Sequence, residues 1–240
     1  MQWPLQIHPA NGEQVSPQDS TNYMHHFAVQ IWDRRIYGKS YYGVEVTMDV
    51  YDFYLQPEQH SSASIWIYDM GDGRQTSITG FVLGWHVHPA LYKDSDTHFV
   101  TWWPGNGSHP GGCYNSQCPG FVRTGSSIAP GDVINPVSEV MGKKQYITIR
   151  ASKHKSSGDW QIYYGFNGPA QLVGYFPKSL FPKLEKNQFN IALPILSMEC
   201  YSLMRLLLLV IVFLMSYPLY IQEAEVRKPF ALLKTDCSTK

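Results

Sequence analysis

From His26 to Phe176 the apolar residues come in short runs at regular intervals, each closed by turn residues. None of these runs is long enough to be a helix crossing between parallel strands. Val44, Val46, Met48 and Val50 alternate with Glu45, Thr47, Asp49 and Tyr51, the pattern of a strand with one buried and one wet face. Ile147, Ile149 and Ala151 alternate in the same way with Tyr146, Thr148 and Arg150, as do Trp160, Ile162, Tyr164 and Phe166 with their neighbours. The spacing predicts strands over 26–32, 44–50, 62–68, 77–87, 98–103, 121–124, 145–152, 160–166 and 171–176, with a single helical turn over 178–184. Gly80 and Gly84 interrupt one strand, where a bulge or a close backbone approach is expected. Met70-Gly71-Asp72-Gly73 contains an Asp-Gly step that favours a tight hairpin. Antiparallel strands at this spacing, without crossover helices, predict an all-β fold, an antiparallel β-sandwich.

Composition agrees. With 14% aromatic residues, sixteen of them Tyr and seven Trp, the chain is rich in side chains that suit a pleated, half-buried surface. Nineteen basic and nineteen acidic residues balance, so no charge excess recommends nucleic acid as a partner. Four cysteines suit a secreted domain with one or two staples. Cys113 and Cys118 flank a short loop followed by Pro119 and Gly120, and their first reading is a disulfide pinning a turn. Half of a metal site and two reduced core cysteines are the alternatives. Asn106-Gly107-Ser108 is a glycosylation sequon beside them.

The ends differ from the middle. Residues 1–24 carry Pro4, Pro9, Gly12 and Pro17 without an apolar period, and read as a leader or linker with no signal peptide. A sandwich domain is expected over 25–192. Residues 198–222 form a hydrophobic, helical segment, uncharged from Leu206 to Gln222, and 223–240 a polar tail. The hydrophobic segment resembles a secretory signal peptide at the wrong end, as though Met198 began a second protein joined to the first. A carboxyl-terminal anchor and a buried helix are the other two readings of it.

Chemistry is harder to place. His86 and His88 project from the same face of one strand and, with His98 nearby, are weak candidates for a metal site; no cofactor is expected. No nucleophile elbow, phosphate loop or dinucleotide fingerprint occurs. Glu45, Asp49, Asp69, Asp94, Asp96, Glu139 and Glu185 are scattered, and the sequence does not nominate two of them as an acid–base pair.

A longer set of motifs does point to a family. Gly84-Trp85-His86-Val87-His88-Pro89-Ala90-Leu91-Tyr92, then Thr101-Trp102-Trp103, then Gly112-Cys113-Tyr114-Asn115 through Cys118-Pro119-Gly120-Phe121-Val122, resemble the neprosin domain of plant secreted proteins. The likeness continues through Pro136-Val137-Ser138, Ser157-Gly158-Asp159-Trp160 and Val173-Gly174-Tyr175-Phe176-Pro177. It implies an antiparallel β-sandwich, secretion, and a glutamic endopeptidase that cuts after proline in acid. Two glutamates would share that work, one activating water and the other protonating the leaving group.

The sequence departs from this pattern at its chemical centre. Val82 stands where the resemblance places the first catalytic glutamate, two residues before Gly84-Trp85, and valine cannot exchange a proton. Ser64 replaces the amide of the family's Ser-Gln-Ile-Trp run. No Trp-Gly-Gly-Glu-like strand follows Phe189, so the second glutamate and the last strand are expected to be missing. The expectation is a protein without peptidase activity. The alternative is an extracellular or cell-wall binding module, in which Ser64, Trp66, Trp85 and Trp103 contribute to a surface for sugar or proline rings. Its partner would be a peptide or a cell-wall polymer. Association with a membrane through Leu206–Gln222 is the alternative location.

Overall fold

The computed structural model describes residues 24–32, 41–57, 59–72, 77–105, 112–125, 128–186, 190–200, 219–223 and 227–230. Thirteen strands appear among them: β1 (Met24–Trp32), β2 (Tyr41–Asp49), β3 (Ser61–Asp69), β4 (Thr79–Val87), β5 (His98–Trp103), β6 (Cys113–Tyr114), β7 (Val122–Arg123), β8 (Tyr146–Lys153), β9 (Trp160–Phe166), β10 (Gln171–Phe176), β11 (Asn190–Cys200), β12 (Leu219–Glu223) and β13 (Arg227–Phe230). They form a six-stranded sheet, order β1-β11-β3-β4-β5-β6, and a seven-stranded sheet, order β13-β12-β2-β8-β9-β10-β7. Every pairing is antiparallel. The only α-helical turn among the described residues, α1, is Pro89–Tyr92. Two short 3-10 turns, Lys178–Leu180 and Pro182–Lys186, replace the single turn expected there.

Period two explains the packing. Val44, Val46 and Met48 of β2, Ile147, Ile149 and Ala151 of β8, and Ile162 and Tyr164 of β9 face inward from the seven-stranded sheet. Ala63, Ile65 and Ile67 of β3, Phe81, Leu83, Trp85 and Val87 of β4, and Phe99 and Trp103 of β5 meet them from the six-stranded sheet. Phe81 touches Trp160 and Phe176 across this core, at ring separations of 5.3 and 5.2 Å, and Phe99 touches Tyr164 at 4.9 Å. This interdigitation of inner faces defines an antiparallel sandwich.

Gly80 and Gly84 are places of close backbone approach. A Cβ on Gly84 would lie 2.0 Å from the carbonyl oxygen of Ala63, and one on Gly80 would lie 2.1 Å from that of Ile67. Only glycine lets β3 and β4 pair this tightly in continuous register from Ser61↔Val87 to Asp69↔Thr79. At the turn between them, the Gly71 amide donates to Asp69 Oδ1 (2.7 Å) and the Ser77 hydroxyl donates to the Met70 carbonyl (2.9 Å).

Toward the end of the chain, β11 lies between β1 and β3 and continues past residue 192 and across Met198 to Cys200. Residues 201–218, most of the expected helical segment, lie outside the described residues, and the described ends of the segment are strand. No helix among the described residues is long and apolar enough to cross a membrane.

Candidate functional site

The outer face of the six-stranded sheet, turned away from the sandwich core, carries part of what the sequence singled out. Its residues along β3 are Ser62, Ser64, Trp66 and Tyr68; along β4, Val82, Gly84 and His86; along β5, His98, Val100 and Trp102. Register sets Trp66 opposite Val82, and Val82 opposite Trp102, so the valine lies in a row between two indoles. Trp66, Val82 and Trp102 are 3%, 4% and 3% exposed, and pack with Tyr68, Ile78, Met70 and Tyr114 into a second apolar cluster separate from the core. Trp66 Nε1 donates to Ser64 Oγ at 2.8 Å, so the side chain in the amide's place serves its own neighbour. Gly112 closes over the other indole: a Cβ there would lie 2.6 Å from Trp102 Nε1.

β11 passes next to this row. Ala192 is registered opposite Trp66, and from Asn190 to Met198 the strand contains no acid. Its one carboxylate residue, Glu199, is registered opposite His25, seven positions further along. The residue of β11 registered opposite Trp66 is therefore alanine.

The carboxylates that the sequence offered lie elsewhere. Glu45 pairs with Arg150 at 3.6 Å. Asp49 is buried, accepts from the Tyr51 hydroxyl at 3.0 Å, and lies 3.9 Å from Lys144 Nζ, which also bonds Tyr51 Oη. Asp69 caps its turn, Asp94 bonds His98 and the Asp96 amide, and Asp96 and Glu139 are exposed in loops. The side chain of Glu185 lies outside the described residues.

Trp85 and Trp103 sit on the opposite face of the sheet from Trp66. Both are part of the sandwich core; Trp85 Nε1 donates to the Asp49 carbonyl at 2.8 Å, and Trp103 meets Phe181 edge to face at 6.2 Å. The surface expected to gather Ser64, Trp66, Trp85 and Trp103 is thus split across the sheet, and all four are buried. Side chains of neighbouring strand residues point to opposite faces, and Trp102 and Trp103 divide for the same reason.

The histidines come together at the other end of the outer face. His86 and His88 have ring centroids 4.8 Å apart, and a residue that sequence reasoning missed, His60, lies 5.5 Å from His86 and 5.4 Å from His88. The β3–β4 register explains this meeting. Ser62 is opposite His86, so His60 continues the ladder toward His88. Burial, with the adjacent His60, His88 and His98 rings adding to it, holds the His86 imidazole well below its ordinary range. Burial lowers His88 as well, with a further contribution from Lys93. His98 joins its sequence neighbours only at a distance: Nδ1 is 2.8 Å from the Gly131 carbonyl, Nε2 is 2.9 Å from Asp94, and the ring stacks on Tyr92 at 3.8 Å. Burial raises the Tyr92 phenol to about 12 and raises Tyr114 further. Among the described residues no group of three or more His, Cys, Asp or Glu side chains is placed to hold a metal ion.

Cys113 and Cys118 are bridged, joining β6 to the turn that leads to β7. The glycosylation candidate, Asn106, lies outside the described residues.

The fold is a disulfide-stapled antiparallel sandwich with an apolar, tryptophan-walled row on one outer face. The sequence model of the neprosin family matches residues 57–193, more than half of the chain, and the protein is a member of that family. Among solved structures, the chain resembles SCP-B, a member of the eqolisin family of peptidases in complex with the tripeptide Ala-Ile-His. Identity is 12% and the TM-score 0.34, over 74% of this chain and 66% of that one. It also resembles a mutant of the alginate lyase Aly36B in complex with an alginate trisaccharide, at 10% identity and a TM-score of 0.31, over 68% of this chain and 72% of the other. Neither likeness bears on the chemistry of the site.

Proposed function

We propose that this chain is a neprosin-family sandwich that does not carry out glutamate-dependent peptide hydrolysis. The observation that supports this reading best is Val82, to which the family resemblance assigns the first glutamate's place, lying between Trp66 and Trp102 inside an apolar cluster. A valine methyl there can neither take a proton from water nor give one to a leaving amine. The lack of an acid from Asn190 to Met198 adds a second reason, because an acid–base mechanism needs two carboxylates in different protonation states. Losing either member of such a pair removes at least the ~10²–10⁴-fold that general acid–base catalysis supplies. The disulfide supports a location in the secretory route or outside the cell, where such a bond persists.

The test is cleavage of proline-containing peptides at acid pH by the purified full chain, followed by mass spectrometry. No cleavage is expected from the unmodified protein, nor from Val82→Glu, which restores one carboxylate without its partner. Turnover by the unmodified chain would overturn the reading.

A further inference from the structure

Where β3 begins and β4 ends, three imidazoles crowd together. His60, His86 and His88 have ring centroids 4.8, 5.4 and 5.5 Å apart. His86 is 1% exposed, while His60 and His88 are half-buried at the rim. Tyr92 of α1 and Tyr114 of β6 flank His86, the first edge-on at 6.2 Å and the second stacked at 6.3 Å. The elements packed around the cluster bring positive charge rather than negative. His98 of β5 acts on His86, and Lys93 after α1 acts on His88. Asp94 is bonded to His98. Toward β11, the position one step beyond the Met198↔Ser61 pair is Glu199, two strands away from β4 and His86.

Neutral rings share such a place readily, and charged ones do not. Nε2 of His86 and Nδ1 of His88 are buried without a hydrogen-bond partner among the described residues, so an N–H made there by protonation would find no acceptor. Two imidazolium rings at this spacing would also repel each other. Burial first, and the neighbouring positive groups second, hold both His86 and His88 below the ordinary 6.5. The sign follows: with folded values depressed, the cluster's contribution to stability is complete above about pH 6.5 and is lost as pH falls through the folded values.

We propose that His60, His86 and His88 form an acid-sensitive latch, which keeps Tyr92 and Tyr114 seated over the outer face near neutral pH and releases them in mild acid. The rim rings can reach water with little movement. His86 reaches it only if the tyrosines beside it give way, so its protonation is tied to a structural change. Tyr114 carries that change along the face. It borders His86 and also packs into the tryptophan cluster, 6.5 Å from the Trp102 ring. Displacing Tyr114 therefore wets the indole row, while the ladders of both sheets stay paired.

The test follows tryptophan emission and far-ultraviolet circular dichroism of the full chain from pH 7.5 to pH 4. A reversible red shift with its midpoint below pH 6.5 is expected, with the far-ultraviolet signal unchanged through it. His86→Gln removes one proton-accepting ring and part of the repulsion, so its midpoint should move roughly half a pH unit or more toward acid and its transition should become shallower. His88→Gln, at the half-exposed rim, should do the same and decides the matter if His86→Gln does not fold. His154→Gln, in an exposed turn, should leave the curve unchanged. No red shift in the unmodified chain, a far-ultraviolet loss at the same midpoint, or an unaltered midpoint in His88→Gln would overturn the proposal.

Discussion

The two sheets of this sandwich treat their outer faces differently. On the seven-stranded sheet, β8 and β9 alternate between buried and half-exposed positions almost without interruption, as strands with one wet face should. On the six-stranded sheet, β4 after Thr79, all of β5, and β3 up to Asp69 are buried on both faces. The first sheet is a wall with a solvated exterior: Thr47 and Thr148 hydrogen bond across it at 3.0 Å, and Arg150 lies over the Tyr163 ring at 3.9 Å. The second has a covered exterior, where Met70, Ile78, Gly112 and Tyr114 pack around Trp66, Val82 and Trp102. This outer face is a second apolar layer at one end and carries a histidine cluster at the other.

An acid introduced on each exterior gives the largest expected contrast. Val82→Glu puts a carboxyl into the tryptophan row. Burial raises the pKa of such a group by 3 units or more, so at about 1.4 kcal/mol per unit the variant should lose roughly 4 kcal/mol at pH 7. The sign follows from linkage: the carboxyl is harder to ionise folded than unfolded. The loss grows as pH rises above the unfolded value near 4.3 and shrinks toward pH 4. Gln161→Glu on the wet face of β9 keeps the oxygen that accepts from Tyr163 Oη and should change stability by no more than about 0.5 kcal/mol. Urea denaturation at pH 7 and pH 4 measures both. Equal losses in the two variants would erase the distinction between the sheets.

The cover itself can be loosened. The Cys113–Cys118 bridge ties down β6, whose Tyr114 and neighbouring Gly112 lie against Trp102. Replacing both cysteines with serine opens a short loop and should cost about 2 kcal/mol on the chain-entropy account. Tryptophan emission should shift to the red as the row becomes wetter. An unchanged spectrum would mean that the bridge does not hold the cover.

The smallest effect concerns the inner boundary of the seven-stranded sheet. Tyr164 is buried against Phe99, and burial raises its phenol above the ordinary value near 10. Its neutral form is favoured by folding, so its contribution is complete below pH 10 and is lost as pH climbs above it. Tyr164→Phe should flatten the alkaline limb of a stability–pH curve while leaving the limb below pH 9 unchanged in shape. A parallel curve would remove Tyr164 from the account.

Much of the scaffold was legible because period two is a local property. Val44 to Val50, Ile147 to Ala151 and Trp160 to Phe166 announced their strands and their inward faces, and the ends moved by only a few residues in the structure. Gly80 and Gly84 announced a close approach, and β3 supplies it. The site was legible only in part. Val82 could be read as a lost glutamate from its place before Gly84-Trp85, but its two tryptophan neighbours come from β3 and β5 and depend on register. His60 carried no signal of its own. It becomes a partner of His86 and His88 only when the β3–β4 ladder places it beside them.

What the chain's own order of residues determined, then, was the identity of its strands, the direction each side chain takes from its strand, and the absence of a proton-carrying group at position 82. Tertiary structure decided which strands became neighbours, which outer face was covered, and that β11 would fill the place between β1 and β3. The reason is physical. Alternation fixes only that successive side chains point to opposite sides, whereas the identity of a neighbour across the ladder is a long-range choice made by the free energy of the whole sandwich.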